Sequence, residues 1–376
     1  MPSNPRPNRI TISDVAKDAG VSITTVSLVL NRVASATISD VTRVRVEASA
    51  LKLNYRPNAA AKQLRTRQSN TIGFITDAVA SNPNAGDVIR GVQDVAWKHG
   101  KVLMIVNTSA NPVLAERAAK QMMERQVEGL IYAADHHQPV ELPSVFEEVP
   151  CVLVDCFTQD PVFPSVVPDE VGGGYVATMA LLGASHRRVG FINLNDGLPA
   201  TDGRLVGYQR ALARYGIGFD PDLVLPGGDA IGLPYGQTRR LMALPEPPTG
   251  IFCATDRMAM EAYAALADLG LRVPDHVSVI GFDNQEIIAT RLRPDLTTVQ
   301  LPHYEMGAWA SERLLAMVGG EPGEAQQISL PCPLVVRSSI GPPVARAGGS
   351  AGRDVAEDGR RSRSEPPAWP GLIPGS

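Results

Sequence analysis

Thr24, Thr25 and Ser27 lie between the apolar positions Val26, Val29 and Leu30 in the stretch DVAKDAGVSITTVSLVLN, residues 14–31. Short, uncharged hydroxyls in an outward row add nothing to a core, but they can approach base edges and phosphates closely. Arg32, Arg43, Arg45, Arg56 and Lys62 supply the positive charge that phosphate contacts require. Other constellations fit chemistry poorly. VGGGYV (171–176) has neither GxGxxG nor GxxxxGK[ST] spacing, and close helix–strand packing explains it better. His136-His137 is an adjacent pair with no third ligand at a fixed spacing, which reads as a loop pair. No GxSxG elbow is present. Cys151, Cys156, Cys253 and Cys332 form no CxxC and read as reduced thiols. No catalytic residue, metal ligand or cofactor is therefore assigned.

The hydroxyls need elements to present them. Val15, Ala16 and Ala19 mark a short helix before Gly20, which follows Thr11 or Ser13 as cap. A second helix follows Ser22. A third starts near Ser39 or Asp40, with Val41, Val44, Ala48 and Leu51 as its apolar repeat, and ends at Asn54. Tyr55-Arg56-Pro57 then forces an extended exit. Gly20 permits a tight turn, and Val15, Ala16, Val21, Val26 and Leu30 would lock the first two helices at a fixed angle. That is helix-turn-helix geometry, whose second helix enters the DNA major groove; a simple helical hairpin is the alternative. Residues 58–69, NAAAKQLRTRQS, can be helical, but at about two turns the segment is too short to be stable alone.

The charge is divided along the chain. The net of −4 over 376 residues combines +7 in residues 1–67, −12 in 68–340 and +1 in 341–376. A basic head on an acidic body suits a polyanion-binding unit carried by a body that DNA would repel, although a solvated basic surface gives the same sum. Hydrophobic content of 44% is ordinary for a globular protein. No stretch reaches about eighteen uninterrupted apolar residues, and MPSNPRPNRI has no apolar h-region, so neither membrane insertion nor secretion is expected.

From Thr71 the pattern alternates strand and helix. TIGFIT (71–76), KVLMIV (101–106), GLIYAA (129–134), CVLVD (151–155), RVGFIN (188–193), GIFCAT (250–255) and VSVIGFD (277–283) are apolar runs of the kind buried on both faces of a parallel sheet. Helical patterns separate them at 87–99, 115–125, 173–182, 204–215 and 258–269. The expectation is α/β: doubly wound sheets in two similar lobes.

TISDVAKDAGVSITTVSLVLN, YRPNAAAKQLRT and TIGFIT resemble the LacI/GalR family of bacterial transcription regulators. The resemblance continues, in collinear order, through RLVGYQRALARYGI, FCATDRMAM, LRVPDHVSVIGFDN, LTTVQLPHYEMG and PLVVRSS, spanning roughly residues 10–340. It implies that the second helix reads the major groove through Ser22, Ile23, Thr24, Thr25, Ser27, Leu28 and Asn31. Many members carry Arg at the position of Leu28. Leu28 cannot form bidentate hydrogen bonds to guanine, and either an apolar contact with a thymine methyl or burial against the third helix suits it. The implied DNA-binding set also includes Tyr55, Asn58, Ala61 and Leu64. Asn58–Arg65 matches a hinge helix that orders on operator DNA beside its twofold partner, with Leu64 wedging between base steps and Lys62 and Arg65 flanking it. A linker face packed on the body is the alternative. Paired hinges imply a homodimer on a near-palindromic operator, with tetramers left open.

For the body the resemblance implies two lobes like those of periplasmic sugar-binding proteins, the first about 71–167 plus 298–328, the second about 168–297 plus the final strand. An effector cleft between them would be contacted by Asp155, Arg204, Thr255, Asp256 and Asp283. Carboxylates with one arginine suit a sugar or polyol, since each carboxylate accepts from two vicinal hydroxyls; a helix N-cap is the alternative role for Asp256. Where relatives place aromatic residues, this chain has Asn84, Ala85 and Ala230. The expected organisation is a disordered 1–9, a DNA-binding head at 10–57, a hinge at 58–69, an effector-binding and dimerisation body at 70–340 and a disordered tail at 341–376. The expected function is a cytoplasmic repressor of carbohydrate uptake or catabolism genes. A sugar-binding protein or a sugar-acting enzyme is the alternative.

Overall fold

A computed structural model describes residues 10–31, 37–56, 69–77, 85–195, 197–228 and 231–344. The expected hinge, with Asn58, Ala61 and Leu64, lies outside these residues, as do Asn84, Ala230 and most of the expected tail. Contacts divide the chain into two units, residues 1–69 and 70–376.

The head contains α1 (Ile12–Ala19), α2 (Ile23–Leu30) and α3 (Asp40–Lys52). Thr11 caps α1 in a capping box with Asp14, Ser22 caps α2 and Ser39 caps α3. Gly20 ends α1 at φ 63°, a left-handed conformation in which glycine has no Cβ penalty, and Val21 N–H closes the turn on the Ala16 carbonyl at 3.0 Å. Val15, Val26, Val29 and Val46 are fully buried, with Ala16, Ala19 and Ala50 beside them. Each buried valine contributes about 1.5–3 kcal/mol, so a handful of small side chains holds the head together.

The expected apolar stripe of α3 is corrected by its environment. Val41, Val44 and Leu51 are 76%, 65% and 85% exposed, and the core instead takes Val46 and Ala50 from the other side of the helix. Two apolar stripes share this helix, and the narrower one meets α1 and α2 because its small side chains allow close approach.

In the body, β1 (Thr71–Thr76), β2 (Val102–Asn107), β3 (Leu130–Pro139), β4 (Cys151–Phe157), β5 (Ser165–Pro168) and β11 (Gln327–Leu330) form one parallel sheet, ordered β11-β5-β4-β3-β1-β2. It belongs with α4 (Ala85–Lys98), α5 (Pro112–Glu124) and α11 (His303–Val318). The second sheet contains β6 (Val189–Asn193), β7 (Val224–Pro226), β8 (Gly250–Cys253), β9 (Ser278–Asp283), β10 (Thr297–Gln300) and β12 (Leu334–Val335), ordered β12-β10-β9-β8-β6-β7. Among its described residues, only the β10–β12 pair is antiparallel. Around it lie α6 (Glu170–Gly183), α7 (Pro199–Arg214), α8 (Leu233–Met242), α9 (Asp256–Asp268) and the short α10 (Glu286–Ala289).

The chain crosses between the lobes near residues 168–170, 301–303 and 330–334. β10 pairs with β9, so the second lobe extends to Gln300, beyond the expected limit of 297. The glycines of VGGGYV pack rather than cradle a ligand. A Cβ at Gly173 would meet the Phe282 ring at 2.6 Å, and one at Gly174 would strike the Arg204 backbone, so α6 and α7 touch nearly backbone to backbone. The expectation of helix–strand packing thus gains a helix–helix component.

Candidate functional site

Two sets of residues can carry function, one in each unit. In the head, Ser22, Ile23, Thr24 and Asn31 are exposed, and Thr25, Ser27 and Leu28 are half-buried on the same helix. The hydroxyls are pre-oriented: Ser22 Oγ and Thr25 Oγ1 are hydrogen-bonded at 2.9 Å, and Asn31 Nδ2 donates to the Ser27 carbonyl at 2.7 Å. Thr24 is left outward at the centre of the row. Arg45 and Arg56 are exposed, and Tyr55 packs partly into the head core at the exit. The helix is uncharged and the head carries exposed arginines, a composition that suits base edges flanked by phosphates.

In the body, polar groups meet at the C-terminal strand ends between the lobes. Asp155, near the end of β4, has φ 57° and is 4% exposed, with Oδ1 lacking a hydrogen-bonding partner among the described residues. A register shift in β3 between Ala133 and Gln138 carries His136 and His137 beside it. From the second lobe, the helix α6 starts with Asp169 capping Gly172 N–H and Glu170 directed inward. Arg204 of α7 donates from Nε to Glu170 Oε2 at 2.8 Å and from Nη1 to the Ala254 carbonyl, and its guanidinium lies 3.7 Å over the Phe282 ring. His137 Nδ1 stands 3.7 Å from Glu170 Oε1, across the lobes and beyond hydrogen-bonding distance. Asp283 ends β9 at φ 103° and accepts from Gln285 Nε2 at 3.1 Å.

Burial dominates the electrostatics here. It raises Asp155 and Asp283 to about 7, with Glu170 adding repulsion to both and Arg204 opposing. Asp77, at the end of β1, is raised to about 6 by burial and by Asp135. Glu170 goes the other way: burial disfavours its charge, but Arg204 and His137 together hold its carboxyl below the ordinary value. His303 at the start of α11 is 7% exposed, and burial lowers it to about 4, leaving a neutral ring at pH 7.

The structure brings together Asp155, Arg204 and Asp283 of the expected effector set. Asp256 lies beside Asp283, both bonded to Gln285, and Thr255 takes a capping role. Thr255 Oγ1 caps α9 by accepting from Met258 N–H, the cap role that Asp256 could have filled. Asp256, fully buried, accepts from Gln285 N–H at 2.7 Å and from Thr298 Oγ1 at 2.6 Å, joining α9 to β10 and the turn after β9. Sequence reasoning missed Glu170, His303 and Asp77, and took the His136-His137 pair for an inert loop. The pair's place at the end of a long apolar run was the available signal. Among the described residues, no group of three or more His, Cys, Asp or Glu side chains is arranged to hold a metal ion.

A small helix-turn-helix head and a two-lobed α/β body with a polar cleft define a DNA-binding regulator with a small-molecule sensor. Residues 11–58 match the family described as bacterial regulatory proteins, lacI family, and residues 178–340 match the periplasmic binding protein-like domain. The HTH-type transcriptional repressor PurR of Photobacterium profundum is 31% identical over 332 residues, covering 88% of this chain and 98% of the relative. A structure of the lac repressor dimer bound to operator and the anti-inducer ONPF is 27% identical with a TM-score of 0.71, covering 89% of this chain and 100% of that one. A structure of the transcriptional regulator CelR in complex with cellobiose is 27% identical with a TM-score of 0.62, covering 88% and 100%. The chain belongs to the lacI family of bacterial regulatory proteins. It is a transcriptional repressor of that family and not an enzyme.

Proposed function

We propose that this repressor controls carbohydrate uptake or catabolism genes in the cytoplasm, and that a polyhydroxylated effector between its lobes sets operator occupancy. The observation that carries the reading is the meeting of Asp155 from one lobe, its Oδ1 buried without a hydrogen-bonding partner among the described residues, with Glu170, Arg204 and Asp283 from the other. Groups from two lobes converge there, so a ligand that touches both has different affinities for their two arrangements. Allosteric coupling requires that difference, typically about 1–3 kcal/mol. The cellobiose complex of CelR supports a carbohydrate ligand.

Operator contacts are assigned to Ser22, Ile23, Thr24, Thr25, Ser27, Leu28 and Asn31, with Tyr55, Asn58, Ala61 and Leu64 completing the set at the hinge. The working unit is a homodimer. The edge strand β2 supports this, since it leaves Val102 60% and Ile105 42% exposed, with Trp97 of α4 61% and Val113 of α5 71% exposed on neighbouring elements. An apolar patch of this kind marks a contact surface. The lac repressor structure is likewise described as a dimer on operator.

A gel-shift on the protein's own upstream DNA, titrated with sugars and polyols, tests the reading. The expected result is a retarded complex at dimer stoichiometry that one carbohydrate class alters, with the alteration lost in Arg204→Ala. A complex insensitive to every carbohydrate, or an Arg204→Ala protein with unchanged response, would overturn it.

A further inference from the structure

The cleft holds more carboxyls than a neutral sugar requires. Asp77, Asp135 and Asp155 reach it from the first lobe and Glu170 and Asp283 from the second, whereas Arg204 is the buried cation among them. That cation is already committed. Its Nε is bonded to Glu170 at 2.8 Å, so one guanidinium and one carboxylate cancel. Asp135 is bonded to His136 Nδ1 at 2.6 Å. Arg337 is held by the Leu296 carbonyl and Asn284 Oδ1, and Arg257 is exposed. Among the described residues, Asp155 and Asp283 are left without a dedicated counter-charge, and so is Asp77.

A second observation points to a ligand. Asp155 and Asp77 are each 4% exposed, and each has an Oδ1 with no hydrogen-bonding partner among the described residues. Both ring nitrogens of His137, a side chain 10% exposed, are likewise unpartnered. Buried polar atoms of this kind are costly unless something bonds to them. Asp155 is surrounded by His136, His137, Glu170 and Arg204; Asp283 is faced by Arg204, Gln285, Glu170 and Arg257. None of these donates a hydrogen bond to the free Asp155 oxygen.

Resting on the cleft reading above, we propose that the effector is a polyhydroxylated molecule carrying a protonated amine, such as an amino sugar, whose ammonium sits between Asp155 and Asp283. A neutral sugar would satisfy hydrogen bonds but leave Asp155 and Asp283, which share Glu170 and Arg204 as neighbours, without a counter-charge of their own. An ammonium supplies three donors and the missing charge. The buried carboxyls, held near 7, would lose protons as the cation enters, so binding at neutral pH releases protons.

Full-length protein in an amine-free buffer is titrated calorimetrically with matched pairs: D-glucosamine and D-glucose, D-galactosamine and D-galactose, and Tris with its uncharged isostere pentaerythritol. The expected result is that amines bind at least about tenfold tighter than their partners, with an observed binding enthalpy that varies linearly with buffer ionisation enthalpy, the slope giving the protons released. Asp155→Asn or Asp283→Asn closes the gap; the second variant guards against misfolding of the first. A neutral sugar that binds as tightly as its amine overturns the charge assignment but, if Arg204→Ala abolishes that binding, preserves the cleft. Absence of saturable binding by every probe overturns both.

Discussion

Gly174 of α6 sits against the backbone of Arg204, where a Cβ would come within 2.7 Å of its Cα and 2.9 Å of its carbonyl carbon. The glycine therefore sets the depth at which Arg204 enters the cleft, and so its reach to Glu170. Gly174→Ala is expected to destabilise the body by about 1–3 kcal/mol through overpacking. It should also weaken effector binding, although the glycine contacts no ligand itself. Urea unfolding and calorimetry on the same protein read both effects.

Arg204 and Glu170 are 4% and 5% exposed, so removing one partner leaves a charge buried alone. Arg204→Ala is expected to cost about 3–5 kcal/mol. The double variant with Glu170→Gln should recover a large part of that loss without restoring effector binding. A double-mutant cycle by thermal and urea denaturation measures the split.

Stability should fall with rising pH above about 6.5. Asp155 and Asp283 near 7 and Asp256 near 8 lie above the ordinary value of 3.8. Their contribution is full below that ordinary value and is lost as pH rises through the folded values. His303, lowered to about 4 from 6.5, acts in the opposite sense, but only between those two values. Above about pH 6.5 His136, raised from its ordinary value by its bond to Asp135, adds to the loss from the carboxyls, so the melting temperature declines there. Asp155→Asn should flatten the slope, as followed by scanning calorimetry.

In the head, Val41→Thr and Leu51→Gln should change stability by less than about 0.5 kcal/mol, whereas Val46→Ala should cost about 1–3 kcal/mol. Circular dichroism melts of the full-length protein, with the head transition followed separately, check this. An equal cost at Val41 and Val46 would mean that both faces of α3 are packed.

At the operator, Leu64→Ala should weaken specific binding while largely sparing non-specific binding, because a wedge acts only where DNA is bent at the correct step. Competition gel-shifts at fixed salt separate the two affinities. Equal loss on both sequences would remove the wedge.

Most of the central strands could be read directly, since a strand buried on both faces is a continuous apolar run. VSVIGFD and TIGFIT match β9 and β1 to within one residue. Ser165–Pro168, Val224–Pro226 and Thr297–Gln300 went unread, being short, and partly polar where they lie near a sheet edge or a crossing. Asp155 and Asp283 were visible because each closes an apolar run. Glu170 was not, because its place depends on where the chain passes from one sheet to the other. The reversed face of α3 shows a further limit. Periodicity reports that a helix has an apolar stripe, and when two are present only the neighbouring helices decide which is used.

Three backbone passages, near residues 168–170, 301–303 and 330–334, join the halves of the body. A single tether would let the halves swivel about any axis. Three, hydrogen-bonded side by side through Asp169 N–H to the Leu330 carbonyl and Gln300 N–H to the Pro333 carbonyl, must flex in concert and resist twist, leaving rocking about the strip they form as the soft coordinate. Whatever settles in the crevice is therefore translated into an angle, and a one-parameter output of that kind can pass through the molecule undistorted.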